Sequence, residues 1–290
     1  MTLPRGSLVL VMPEAKRLHV TEAARQEGWF AASSSSSGPF LVITQSFGSV
    51  VFILGAAFFA ALVRGFAGFG AALIFIPLAS AAIGPREASP ILLLADMVLT
   101  TAMLPNAWRF ADRKEVGTMA AGAIVGVPAG AAILAWAPAT VLRWAICAIV
   151  LLLLAFLISG WRYHGRPRPK YTAGVGLIAG LFSGAAQLGG PPVAAYWLGG
   201  GHEGKIVRSN IILYFAISSV FSFVSYLMGG LIGWEVLAIA ILAAPCYALG
   251  LAAGSHLFGF ASEKMFRTIC FVLIAISAIA GMPLLDGLFG

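Results

Sequence analysis

Arg64-Gly-Phe-Ala-Gly-Phe-Gly70 and Gly184-Ala-Ala-Gln-Leu-Gly-Gly-Pro-Pro192 each interrupt a long apolar part of the chain. Neither stretch contains the polar loop that normally joins two transmembrane helices. The second stretch lies between the apolar segments 172–187 and 190–200, which are short for two full crossings of a bilayer. The pattern therefore predicts two broken or re-entrant helical hairpins.

The composition of the chain places these breaks in a membrane protein. Of 290 residues, 60% are hydrophobic and 10% are charged, whereas an ordinary soluble domain has about 25% charged residues. A bilayer accommodates that much apolar surface, and a soluble fold does not. Ten apolar segments follow one another, at 40–63, 67–83, 88–104, 116–135, 139–158, 172–187, 190–200, 208–228, 234–256 and 265–285.

The distribution of basic residues predicts how the segments are oriented. Eleven of the eighteen Lys and Arg residues lie in four short stretches, which we expect to be cytoplasmic: 105–115, 159–171, 201–208 and 257–267. With these loops inside, the first hairpin opens to the exterior and the second to the cytoplasm. The net charge of +7 thus reflects topology, and nucleic-acid binding is rejected.

The predicted fold is an all-α polytopic membrane protein with two inverted repeats. Each repeat contains one broken or re-entrant hairpin and three transmembrane helices, which gives about eight transmembrane units. A similar order of glycine-rich break and following helix recurs at an offset of about 115 to 120 residues, as expected for a repeat of this kind. The predicted parts are a disordered tail at 1–39, a first repeat at 40–158, a basic cytoplasmic linker at 159–171 and a second repeat at 172–290.

The glycines and prolines of the breaks predict an anion site made largely of backbone amides. A helix that begins near Gly70 or at Pro191 presents free N–H groups and a partial positive charge at membrane depth, where both favour an anion. Other glycines, such as Gly122, Gly126 and Gly130, are better explained by close helix packing. The candidate substrate-binding residues are Arg64, Gly68, Gly70, Gln187, Gly189, Gly190, Pro191, Ser209 and Asn210.

Asp96 is the acidic residue that lies well inside an apolar segment. A carboxylate at the centre of an inserting helix costs about 2.5–3.5 kcal/mol, so such a residue is a functional candidate. We expect Asp96 to couple transport to protons. The alternative is a structural carboxylate that bonds to a neighbouring helix or pairs with Arg64, and the alternative for Ser209 and Asn210 is that they are helix caps.

The sequence predicts neither an enzyme nor a metalloprotein. Cys147, Cys246 and Cys270 are far apart, with no spacing that suggests zinc or a disulfide framework. Paired aspartates, an HExxH helix or a serine beside a general base are missing from the apolar segments. We therefore predict no catalytic residue, no metal and no cofactor.

Three stretches carry a family resemblance: the glycine-rich hairpin that ends at Pro77, its counterpart at 184–192 and the following Val207-Arg208-Ser209. They resemble the sulfite exporter TauE/SafE family, also called the toluene sulfonate uptake permease group. The similarity covers about Phe47 to Leu285. It implies a carrier of sulfite, sulfonates or related organosulfur anions in the bacterial inner membrane, with its site between the two hairpins. The chain departs from the usual glycine-dense first hairpin at Ala71 and Ala72.

The predicted partners are a small anionic substrate and the lipid bilayer. The sequence is compatible with a monomer or a homo-oligomer, and with import or export. An anion channel and a membrane scaffold subunit that transports nothing are the alternative functions. A scaffold, however, has no reason to contain two broken hairpins in inverted halves.

Overall fold

The protein is all-helical over the residues that a computed structural model describes, which are 47–161, 163, 165, 167–201, 203–257 and 263–285. These residues belong to one compact unit, Val42–Gly290. The predicted tail at 1–39 and the start of the first apolar segment lie outside the described residues. The helices are α1 (Phe47–Ala67), α2 (Ala71–Ile83), α3 (Pro85–Phe110), α4 (Arg113–Trp136), α5 (Ala139–Ser159), α6 (Pro169–Ala186), α7 (Gly190–Gly199), α8 (Gly204–Met228), α9 (Trp234–Leu257) and α10 (Glu263–Ala280), followed by a short 3-10 helix at Pro283–Leu285.

Each of the ten predicted apolar segments corresponds to one helix, but several helices extend beyond the apolar run. The segment predicted at 88–104 is part of α3, which begins at Pro85 and ends at Phe110. Pro85 occupies the first helical turn, where a missing N–H has no consequence. Arg86 and Arg109 are polar but good helix formers, so the helix continues where the hydropathy falls.

Within the described residues, six helices are long and apolar enough to cross a membrane, namely α1, α3, α4, α5, α8 and α9. In contrast, α2 has 13 residues and α7 has 10, which correspond to about 20 Å and 15 Å of helix. The hydrocarbon core of a bilayer is about 30 Å thick, so neither short helix crosses it alone. The chain is thus a polytopic helical membrane protein with two short helices, each of which follows a break.

The two short helices are interior elements. Nine of the 13 residues of α2 and seven of the 10 residues of α7 are buried. Irregular backbone at membrane depth needs such shielding, because lipid offers no hydrogen-bond partner to the groups that a break releases. The surrounding long helices supply it.

Glycines hold α4 against α6 at backbone contact. A Cβ atom on Gly122, Gly126 or Gly130 would collide with the backbone of α6, in each case first with a carbonyl oxygen. The glycines of α6 face α4 in the same way, and these are Gly176, Gly180 and Gly184. This confirms that the four-residue spacing in α4 serves close packing.

A second glycine contact joins α1 to α9. Gly65 of α1 lies against the Leu251 carbonyl, and Gly254 of α9 lies against the Leu62 carbonyl. Gly65 belongs to the glycine-rich stretch of the first break, yet it is helical and serves packing. The contact also places α9 beside the last turns of α1, where Arg64 lies.

Candidate functional site

The first break is short and depends on glycine. The N–H of Gly68 donates to the Arg64 carbonyl at 2.7 Å and closes the last turn of α1. Gly68 and Gly70 then adopt φ values of +79° and +102°, a region that residues with a Cβ atom rarely occupy. α2 begins at Ala71, so its first N–H groups have no partner within the helix.

The second break is a helix C-cap made without glycine. The N–H of Gln187 donates to the Ser183 carbonyl at 2.9 Å, and the N–H of Leu188 donates to the Phe182 carbonyl at 3.1 Å. The bond from Gln187 to Ser183 is that of the αL C-cap motif, which places a left-handed residue at the position of Gln187. Gln187 has a φ of +57° and is the one described non-glycine residue with a positive φ.

α7 begins at Gly190, one residue before the predicted start at Pro191. Pro191 and Pro192 occupy its first turn and carry no N–H, so α7 presents fewer free donors than α2 does. The two helix ends are therefore unequal as anion sites. The Gln187 side-chain amide adds donors to those of the backbone at the second break, and its Nε2 also donates to the Tyr226 hydroxyl at 3.2 Å.

Both breaks border one buried cavity of about 40 Å³. Of the residues predicted to bind substrate or protons, the cavity brings together Arg64, Gly70, Asp96, Gln187, Gly190 and Pro191. Its walls also contain four hydroxyl side chains that the sequence did not single out, Ser183, Ser218, Ser219 and Tyr247. The cavity thus combines one cation, one carboxylate and several neutral hydrogen-bonding groups.

Arg64 and Asp96 form an ion pair at the cavity wall. Nη1 of Arg64 lies 2.9 Å from Oδ2 of Asp96, and the two side chains are 20% and 14% exposed. The Tyr247 hydroxyl donates to Oδ1 of Asp96 at 2.9 Å, and Nη2 of Arg64 donates to the Thr100 hydroxyl at 3.3 Å. The structure thus contains the pair of Asp96 with Arg64 that the sequence analysis gives as an alternative.

A wider vestibule of about 620 Å³ adjoins the cavity. Arg64, Phe69 and Phe215 border both spaces. Thr100 and Gly68 line the vestibule, whose rim includes Arg208. An ideal Cβ atom on Gly190 would lie 3.5 Å from Cβ of Phe69 and 3.8 Å from Cζ of Phe215, so these two rings and Gly190 lie at the boundary between the two spaces.

Gly189, Ser209 and Asn210 lie away from the cavity wall. A Cβ on Gly189 would collide with the Ser183 hydroxyl and approach the Ala179 carbonyl, which makes Gly189 a packing residue. The Ser209 hydroxyl donates to the Lys205 carbonyl within α8 at 2.9 Å. Because α8 begins at Gly204, Ser209 and Asn210 are in its second turn and do not cap it.

Asn210 instead fixes the loop between α3 and α4. Its side-chain oxygen accepts a 2.7 Å hydrogen bond from the N–H of Asp112. Asp112 in turn caps α4 by accepting from the N–H groups of Lys114 and Glu115 at 3.0 and 3.1 Å. Asn210 thus supports the residue that caps a neighbouring helix and is not itself a cap.

Tyr247 and Thr100 are site residues that the sequence reasoning missed. Both are buried and both contact the ion pair. Their only sequence signal is a hydroxyl group inside an apolar run. Among the described residues, no group of three or more His, Cys, Asp or Glu side chains is placed to hold a metal ion.

Membrane-length helices around two short interior helices, with a polar cavity at the two breaks, are features that secondary transporters with broken helices share. A model of the sulfite exporter TauE/SafE family matches residues 53–281. The chain belongs to this family of membrane transporters, which confirms the resemblance found in its breaks. No curated protein and no solved structure matches the chain.

Proposed function

We propose that this protein carries a small anion across a bacterial inner membrane, and that the anion binds in the cavity between the two breaks. The anion is sulfite, a sulfonate or a related organosulfur anion. The observation that carries the proposal is the convergence of Arg64, the first turn of α2 and Gln187 on one buried cavity. Guanidinium, helix N-terminus and amide each favour an anion.

The size of the cavity supports a compact substrate. A volume of about 40 Å³ accommodates about three water-sized groups. This fits sulfite or a sulfonate with a small organic group better than one with a bulky group. A larger anion requires that the rings of Phe69 and Phe215 move apart.

Alternating access is the proposed mechanism, and helix pairing supports it. The fourth helix of each half packs through glycines on the first helix of the other half, α4 on α6 and α9 on α1. Such reciprocal pairing is what a twofold axis in the membrane plane produces in inverted repeats. The vestibule reaches Arg208, in a stretch predicted to be cytoplasmic, so we propose that this conformation faces inward.

The topology has a direct test. Single cysteines at 84–87 and at 203–206 should react with membrane-impermeant maleimide from opposite sides of the membrane, in a background that lacks Cys147, Cys246 and Cys270. Reaction from the same side would overturn the inverted arrangement.

The site has a test with a matched control. Gly190→Leu places additional carbons at the cavity, next to Phe69 and Phe215, and should abolish sulfite uptake by proteoliposomes without loss of folded protein. Gly55→Leu is the control, because a Cβ on Gly55 meets nothing within 4 Å. Equal uptake by both variants would refute the site.

An exchange experiment in the same vesicles distinguishes a carrier from a channel. A carrier accelerates uptake of labelled sulfite when unlabelled sulfite is present inside, because exchange avoids the return of the empty site. A channel shows no such acceleration. A scaffold subunit neither binds sulfite nor transports it.

A further inference from the structure

We propose that, in the empty carrier, Asp96 occupies the position on Arg64 that the transported anion takes. Anion binding then requires protonation of Asp96, and Tyr247 is the residue that positions the carboxylate. The inference rests on the proposed function and states how one site links a proton to an anion.

The carboxylate of Asp96 is held by both of its oxygens. Oδ2 contacts Nη1 of Arg64 at 2.9 Å, and Oδ1 accepts from the Tyr247 hydroxyl at 2.9 Å. The Thr100 hydroxyl lies 3.5 Å from Oδ2 and accepts from Nη2 of Arg64. Asp96 thus uses a face of the guanidinium that a bound oxyanion would otherwise use.

One side chain of the ion pair lies at the boundary between the two spaces. Arg64 borders both the vestibule and the central cavity, and Asp96 and Tyr247 border the cavity. Water in the vestibule can therefore deliver a proton and an anion to the same place. A purely structural pair has no need to lie at such a boundary.

Few other ionisable groups face Asp96. Arg64 comes from α1 and Tyr247 from α9, and these are the other titratable side chains in the described part of the cavity wall. The remaining polar groups there are neutral: Ser218 and Ser219 of α8, and Ser183 and Gln187 at the end of α6. The protonation of Asp96 is thus the event that changes the charge of the cavity.

Charge balance favours the exchange. The empty site is neutral, because the guanidinium and the carboxylate cancel. An added anion leaves one uncompensated negative charge in a largely buried site, which is strongly unfavourable. If a proton from the vestibule bonds to a carboxylate oxygen of Asp96, the ion pair breaks, the guanidinium binds the anion and the site is again neutral. On release the anion leaves, the proton leaves and the pair re-forms.

The scheme predicts one protein-bound proton for each monoanion and a step that moves no net charge. Tyr247 stabilises the ionised carboxylate by its hydrogen bond and holds it toward Arg64. Without that donor, the ionised carboxylate loses a hydrogen bond that its neutral form needs less. Anion binding should then persist to a higher pH.

The experiment measures sulfite uptake by proteoliposomes under a pH gradient and, separately, under a potassium diffusion potential. Sulfite itself binds protons, so wild type and Asp96→Asn are compared in parallel. Wild-type uptake should respond to the pH gradient more strongly than uptake by the variant. Asp96→Asn should retain binding, lose that additional response and become more sensitive to the potential. Glu235→Gln, an exposed change at the start of α9, is the control.

Tyr247→Phe provides a second measurement that survives if Asp96→Asn does not fold. The pH midpoint of sulfite binding should rise relative to wild type, while Tyr171→Phe at an exposed tyrosine leaves it unchanged. An unshifted midpoint in Tyr247→Phe, or equal responses in wild type and a folded Asp96→Asn, would overturn the exchange while leaving sulfite transport intact. Absence of sulfite binding in wild type would instead refute the proposed function.

Discussion

Gly126→Ala should destabilise the protein, whereas Gly117→Ala in the same helix should stabilise it. A Cβ on Gly126 collides with the Leu177 carbonyl and approaches the Leu181 N–H, both backbone groups of α6. A Cβ on Gly117 meets nothing within 4 Å, and the residue is exposed. The two substitutions add the same methyl group to α4 and differ in what that group meets.

The magnitude follows from two opposing effects. Alanine is a better helix former than glycine by about 1 kcal/mol, which favours both variants. Overpacking a close contact costs about 1–3 kcal/mol, and the upper end applies at Gly126 because backbone atoms cannot rotate away. Gly126→Ala should therefore lose about 2 kcal/mol of unfolding free energy, while Gly117→Ala gains up to about 1 kcal/mol.

Both variants are purified in one detergent and their thermal unfolding is followed by helical circular dichroism or by size exclusion after heating. The expected order of midpoints is Gly117→Ala at or above wild type, and Gly126→Ala clearly below it. Equal midpoints for the two variants would show that α4 and α6 are not in backbone contact. The helix packing that supports the repeat arrangement would then be refuted as well.

Two other substitutions separate backbone conformation from side-chain contact. Gly70→Ala should impair sulfite transport, because alanine at a φ of +102° costs about 1–2 kcal/mol and the start of α2 must shift. Gly190→Ala should retain sulfite binding, because its Cβ finds contacts of 3.5 Å or more. Equal sulfite affinities of these two variants would contradict this interpretation of the first break. Asn210→Ala leaves the Asp112 N–H without its acceptor, so the unfolding midpoint should fall by an amount that corresponds to about 1–3 kcal/mol. The KM for sulfite should stay unchanged. A raised KM would show that Asn210 contributes to the substrate site.

The positions of the helices could be predicted from the sequence, because a bilayer imposes long apolar segments and a break needs glycine or proline. The starts of α2 and α7 were predicted within one residue for this reason. Helix ends were less predictable, as in α3, where polar residues continue the helix beyond the apolar run. An apolar composition predicts which part of a helix contacts lipid, whereas backbone hydrogen bonding determines the residue at which the helix ends.

The site was only partly predictable. Arg64 and Asp96 stand out because a charge in an apolar run is rare, and their pairing is one of several alternatives that the sequence leaves open. Tyr247 lies 151 residues from Asp96 in the chain, and no local pattern marks a tyrosine that bonds so distant a carboxylate. Gly65 and Gly189 lie in the glycine-rich motifs of the two breaks, yet both are in close contact with neighbouring atoms, so a glycine in such a motif can serve packing as well as a break.

The location of a bound anion tests the central claim most directly. Selenite has the shape and charge of sulfite, and its selenium scatters X-rays anomalously, so crystals grown with selenite report its position. The account predicts an anomalous peak in the cavity between Gly70 and Gln187, within hydrogen-bonding distance of Arg64. A peak confined to the vestibule rim near Arg208, with the cavity empty at saturating selenite, would contradict it.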